Sequence, residues 1–182
     1  MSVDIVVHSS VSVKNSLPKV MHLAKQTVTE TGKKAGYSQP MISKLSSGVA
    51  KLPYENVRTL LNSIPEQYQP LLALDIAHEL VGITPPIANG DGLKLDVEAL
   101  GPRTIRELSQ GIDALTNSQD EFETPAGHVS DTKDPQEAIY QVLDALFIGY
   151  NAVIGICNEY GFSLPALMRQ REKVWKMKSY IK

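Results

Sequence analysis

The sequence predicts an all-α protein in two parts, and three observations carry that prediction. Apolar residues recur at helical spacing through most segments. Serines followed by prolines open those segments and glycines close them. Only residues 3–13, VDIVVHSSVSV, alternate in the manner of a strand, and they do so weakly.

Taken in order, Ser16-Leu17-Pro18 opens a first helix, with Ser16 as its cap and Val20, Leu23 and Ala24 at helical spacing. A short second helix runs from about Val28 to Ala35 and stops at Gly36, a residue free to take the left-handed conformation of a tight turn. Ser38 caps a third helix, with Pro40 in its first turn, that ends near Ser47-Gly48. Tyr54 to Ile64 reads as a fourth, with Val57, Leu60, Leu61 and Ile64 on one face. Pro65 and Pro70 bracket a break before an apolar helix from Leu71 to Val81. The stretch GITPPIANGDGLKLDVEALGP reads as a linker in which LKLDVEAL is a short extended piece. A helix follows from Arg103 to Leu115, and NSQDEFETPAGHVSDTKDP reads as a polar, mobile loop. A long helix then spans about Pro135 to Tyr160, and Ser163 caps a last one that reaches about Lys178. The expected division is residues 1–82, a linker at 83–103, and residues 104–182.

Composition bounds the function. A single cysteine, Cys157, excludes an internal disulfide framework and a cysteine-based zinc site, and the four histidines have no ligand spacing. The first residues lack the basic region and the apolar run of a signal peptide, so a cytoplasmic protein is expected. Residues 1–64 carry eight Lys and Arg against three Asp and Glu, a net +5, which leaves −7 for the remainder of a chain of net −2. A basic part joined to an acidic part is what is expected when only one of them meets an anionic partner. Charge alone does not choose among DNA, RNA and membrane.

The segment TETGKKAGYSQPMISKLSSG narrows that choice. Two short helices joined by a tight turn need a small residue where they cross, here Gly32, and a glycine at the turn, here Gly36. They also need apolar anchors, and Tyr37, Ile42 and Leu45 have the spacing. What stays exposed on the second helix is Ser38, Gln39, Pro40, Ser43 and Lys44, side chains suited to base edges in a major groove. Each also has a bland role: Ser38 caps any helix, Pro40 starts one, and Lys33 and Lys34 fit any solvated face. Taken jointly, the segment resembles the Cro/cI-like (XRE-type) helix-turn-helix family over about residues 17–64, through Gly32, Gly36, Tyr37, Ser38, Gln39, Ile42, Ser43, Leu45 and Gly48. Gly32 stands where that family more often has Ala, Thr31 where it has Leu, and Tyr37 where it has Val. The resemblance implies a lambda-repressor-like DNA-binding domain. In it Gln39, Pro40, Ser43 and Lys44 face bases, while Ser38 and Lys51 meet phosphates.

The second half carries a 20-residue apolar run, AIYQVLDALFIGYNAVIGIC. It is long enough to cross a membrane, but Asp144 near its middle costs about 2.5–3.5 kcal/mol on an insertion scale, so a buried bundle helix is expected instead. Gln141, Asp144, Asn151 and Asn158 form a polar stripe along it. With the following EYGFSLPALMRQREKVWKM, the stripe is similar to the all-α, MazG-like nucleotide pyrophosphohydrolases. That resemblance implies Mg²⁺ held by paired carboxylates, on Glu107 and Gln110 and on Gln141 and Asp144. Only Glu107 and Asp144 of these four are acids, and hard Mg²⁺ prefers charged oxygen ligands. The expected role is therefore helical dimerisation or effector sensing, with no catalytic residues, no cofactor and no metal. The basic end, RQREKVWKMKSYIK, fits phosphate contact, an embrace of the acidic half, or a solvated helix end.

The whole reads as a dimeric, sequence-specific transcription regulator of prophage or mobile-element type, more a repressor than an activator by analogy. Its expected partners are a double-stranded DNA operator, a second copy of the chain through the C-terminal helices, and an effector of unspecified kind. The alternatives are a nucleotide pyrophosphohydrolase with an accessory DNA-binding head, and a protein-interaction adaptor.

Overall fold

The computed structural model describes residue 5 and residues 7–182. The described residues are mostly helical, as the patterning predicts. The chain forms two compact units: residues 1–87 together with 156–182, and residues 88–155. The division does not follow sequence order, so the segment 104–182, expected as one domain, contributes to both units.

In the first unit α1 (Leu17–Leu23), α2 (Val28–Ala35), α3 (Gln39–Ser47), α4 (Val57–Ser63) and α5 (Gln69–Val81) surround a core of Leu17, Val20, Ile42, Leu45, Leu52, Leu60, Ile64 and Leu72. Of the apolar positions that set the helical period, Val20, Leu60 and Ile64 are buried, Ala24, Val57 and Leu61 are half-buried and Leu23 is exposed, and burial of the core is the main force holding the unit together. The last helix, α9 (Leu164–Met177), belongs here too, with the Ser163 hydroxyl donating to Glu66 at 2.7 Å.

Several expectations change. Of residues 3–13 only Ser10–Val11 is a strand, β1, and residues 3, 4 and 6 lie outside the described residues. β1 pairs antiparallel with β2 (Leu52–Pro53), in the register Ser10 with Pro53 and Val11 with Leu52. Two-residue strands have no periodicity to read. Pro70 lies in the first turn of α5 rather than before it, where its missing N–H leaves no helical bond unmade. Tyr54–Asn56 is a 3₁₀ turn that leads into α4.

Ser16 does not cap α1 through its side chain. Its hydroxyl donates instead to the buried Asp75 carboxylate on α5, at 2.5 Å. Burial raises the Asp75 pKa above its ordinary value, with Glu79 adding to the rise, while the Ser16 hydrogen bond and His78 oppose it. A raised folded-state carboxyl pKa means that the folded chain holds a proton the unfolded chain has lost. Stability from this group therefore falls as pH rises through the folded pKa. Asp75→Asn removes that dependence. In urea titrations the stability of the Asn variant relative to the parent is expected to be highest at neutral pH. It should shrink as pH drops toward the ordinary carboxylate range, and a difference that grows on acidification contradicts the assignment.

The second unit contains α6 (Val97–Asn117), α7 (Gln119–Glu123) and the greater part of α8 (Lys133–Tyr160). α6 starts at Val97 rather than Arg103, because Asp96 caps it by accepting from the Ala99 N–H at 2.7 Å. The piece expected to be extended is thus partly the first turn of a helix, and Pro102 lies within that helix. The polar segment 117–134 holds α7 and a 3₁₀ turn at Ala126–His128. α6 and α8 meet where Gly111 faces the backbone of Gln141 and the side chain of Val142, and where Leu100 reaches Gly155. Asn151, buried on α8, accepts from the Ala88 N–H and donates to the Phe147 carbonyl, both at 2.8 Å.

Candidate nucleic-acid interface

The α2–α3 pair is built by local signals that reinforce one another. Thr27 and Glu30 form a reciprocal capping box at the start of α2. The T-x-x-E pattern of residues 27–30 is the sequence signal for this cap, additional to the serine caps. The Glu30 carboxyl is held below its ordinary pKa, first by the Thr27 backbone N–H, then by the Thr27 hydroxyl, with Lys34 and Lys33 adding to it. Gly36 ends α2 in the left-handed region, φ 67°, where a Cβ would be strained. The Tyr37 N–H returns to the Gly32 carbonyl at 2.8 Å, and Ser38 caps α3 by accepting from Met41.

Gly32 has a stricter role than smallness. A Cβ there would stand 2.7 Å from the Tyr37 carbonyl oxygen and 3.5 Å from Ile42 Cγ1. The turn passes so close to α2 that only glycine leaves room. Thr31, Gly32 and Ala35 on α2 and Ile42 and Leu45 on α3 are buried, which fixes the angle between the helices. Tyr37 is half-buried, and burial pushes its phenol pKa up, so it stays neutral at physiological pH.

With Ile42 and Leu45 turned inward, helical geometry sends the opposite arc of α3 to solvent. Ser38, Gln39, Pro40 and Lys44 are exposed and Ser43 is half-exposed. The Gln39 side-chain amide donates to the Ser43 hydroxyl at 3.2 Å, across one turn. Lys51, beyond the end of α3, is also exposed. All six residues singled out from the sequence therefore lie on α3 or beside its ends. Among the described residues, Lys33, Lys34, Lys44 and Lys51 make no ion pair.

Placing α9 with the N-terminal helices sharpens the charge segregation. The first unit carries fourteen Lys and Arg against eight Asp and Glu, a net +6. The second carries four against twelve, a net −8. The basic end of the chain thus sits on the basic unit, not with the acidic one. Sequence order hid this, because α9 directly follows the acidic half.

Of the four residues carried over from the hydrolase resemblance, Gln110 and Gln141 line one cleft while the two acids, Glu107 and Asp144, lie elsewhere. Glu107 is buried and ion-paired with Arg103, one turn earlier on α6. Asp144 is exposed, whereas Asn151 of the same stripe is buried and hydrogen-bonded through both its oxygen and its nitrogen. A cleft between α6 and α8 is lined by Gln110, Asp113, Asn117, Asp134, Glu137 and Gln141, and neither Glu107 nor Asp144 is among its walls. Among the described residues no three His, Cys, Asp or Glu side chains group in a way that could hold a metal. Compared with known proteins, the chain matches no family model, no curated protein and no solved structure.

Proposed function

We propose that the chain is a sequence-specific DNA-binding transcription regulator whose first unit carries a lambda-repressor-like helix-turn-helix. The observation that carries this reading is the α3 surface. A short helix is pinned by Gly32, Gly36 and two buried anchors, and presents Gln39, Pro40, Ser43 and Lys44 to solvent from a unit of net +6. Gln can make two hydrogen bonds to the major-groove edge of adenine, Lys can meet guanine, and Ser can serve either base. Ser38 and Lys51, at the two ends of α3, are assigned to phosphates, which set register without carrying sequence information. One such helix reads only a few bases, so a dimer on paired half-sites about 34 Å apart is part of the proposal. The cytoplasm is the proposed compartment, and repression of a mobile-element or prophage promoter is the proposed role, the latter by analogy of architecture alone.

Selection from a pool of random-sequence duplexes tests it. The full chain is expected to enrich a two-fold symmetric motif and to bind it at least ~1,000-fold more tightly than unrelated DNA at physiological salt. Binding to the unselected pool with equal affinity, or no binding, overturns the proposal.

A further inference from the structure

Ile139, Leu143, Leu146, Tyr150 and Val153 of α8 are all exposed, by 40% to 59%, and recur at alternating steps of four and three residues. That is the seam spacing of helices that pack along their length. The row spans roughly 20 Å of helix. It lies about half a turn from Gly155, which the Leu100 side chain of α6 reaches, so it faces away from that contact. The acids of this stretch, Asp134, Glu137 and Asp144, fall on other sides of the helix, and the row itself carries no charge. With Tyr140 beside it, its open surface is on the order of 600 Å², at the upper end of what a soluble monomer exposes as one patch.

We propose that this row is the two-fold contact between two copies of the chain, α8 lying antiparallel on the partner's α8 about Leu146. The choice of a second copy rests on the dimeric regulator reading above and on three features of the row. Centred on Leu146, an antiparallel pair sets Leu143 against Tyr150 and Ile139 against Val153, filling both halves of the seam alike. A parallel pair would instead bring together the acidic ends that hold Asp131, Asp134 and Glu137. Covering all of the row's open surface removes on the order of 600 Å² per partner from water, about three-quarters of the ~800 Å² of a standard interface. By length and composition alone α8 could also cross a membrane. Its other face, however, is already engaged through Asn151 and Gly155, and the unit's net −8 is the wrong sign for an anionic lipid surface.

Light scattering of the purified full chain across a range of concentrations tests the contact. The parent is expected to run at the mass of two chains. Leu146→Lys sets two ammonium groups against each other at the two-fold axis and is expected to weaken association at least 100-fold, leaving monomers with unchanged helical circular dichroism. Mixing Leu146→Lys with Leu146→Glu is expected to restore the two-chain mass, which separates a lost contact from a lost fold. A monomeric parent overturns the proposal, as does a dimer that survives Leu146→Lys. So does a dimer lost only on Ile112→Lys, in the row of Ile105, Leu108, Ile112 and Leu115 that α6 also exposes. Flotation of a monomeric parent with phosphatidylcholine–phosphatidylserine vesicles would assign the row to lipid instead. The mass readout needs no DNA, so it stands or falls apart from the assignment of α3.

Discussion

Replacing Gln39 and Lys44 together by alanine is expected to lower affinity for the selected duplex roughly 100-fold while the fold survives. A well-placed base contact is worth about 1–3 kcal/mol of discrimination, and each 1.4 kcal/mol is tenfold in affinity. Both side chains point to solvent, and among the described residues the bond lost is the exposed one from Gln39 to Ser43. Surface changes of this kind shift stability by about 0.5 kcal/mol or less. The two single variants divide the effect further. Gln39→Ala should relax sequence preference and leave the salt dependence of binding alone. Lys44→Ala should also flatten that dependence, by about one phosphate equivalent if the ammonium meets the backbone. Gel shifts at two salt concentrations, on selected and scrambled duplexes, read both. Unchanged affinity in the double variant would remove α3 from the interface.

The largest effect on folding is expected at Gly32. Glycine inside a helix is about 1 kcal/mol worse than alanine, so propensity alone says that Gly32→Ala stabilises α2. Geometry says the reverse. The new Cβ would lie 2.7 Å from the Tyr37 carbonyl oxygen, and that oxygen is backbone. It cannot swing away like the end of a long side chain, because the Tyr37 N–H is tied to the Gly32 carbonyl and Gly36 sets the turn. Overpacking of this sort costs about 1–3 kcal/mol, which outweighs the propensity gain. Gly32→Ala is therefore expected to be mildly destabilising. Gly32→Leu, which must also displace Ile42, is expected to cost about 3 kcal/mol or more and to lower Tm by roughly 10 °C. Thermal melts followed by circular dichroism decide it. A rise in Tm for Gly32→Ala would mean that the helices cross less closely than described.

The contrast at Gly32 shows where sequence reading stops. From the sequence, Gly32 is the small residue that a helix crossing needs, standing where the family more often has Ala. In the fold it is the residue that lets a carbonyl oxygen pass against α2. Caps and breakers were legible because they act within a few residues: Ser38 and Gly36 around the turn, Gly161 and Ser163 between α8 and α9, Gly82 after α5. Where a local signal competes with another, reading failed. Asp96 starts α6, yet the Gly101-Pro102 pair beyond it reads as a break. Pairings of distant segments left no trace, neither β1 with β2 nor Ser16 with Asp75.

By itself, the sequence determined the helical class, the bounds of most helices, and which side chains of α3 face outward. Each follows from interactions within one or two turns, and the period of apolar residues records them directly. Tertiary structure alone decided that the basic α9 belongs with the N-terminal helices, that Asn151 is buried while Asp144 is not, and that one apolar row of α8 is left open. A helix that is apolar on several sides does not state which side its neighbours will cover. That choice is made only when the other helices take their places.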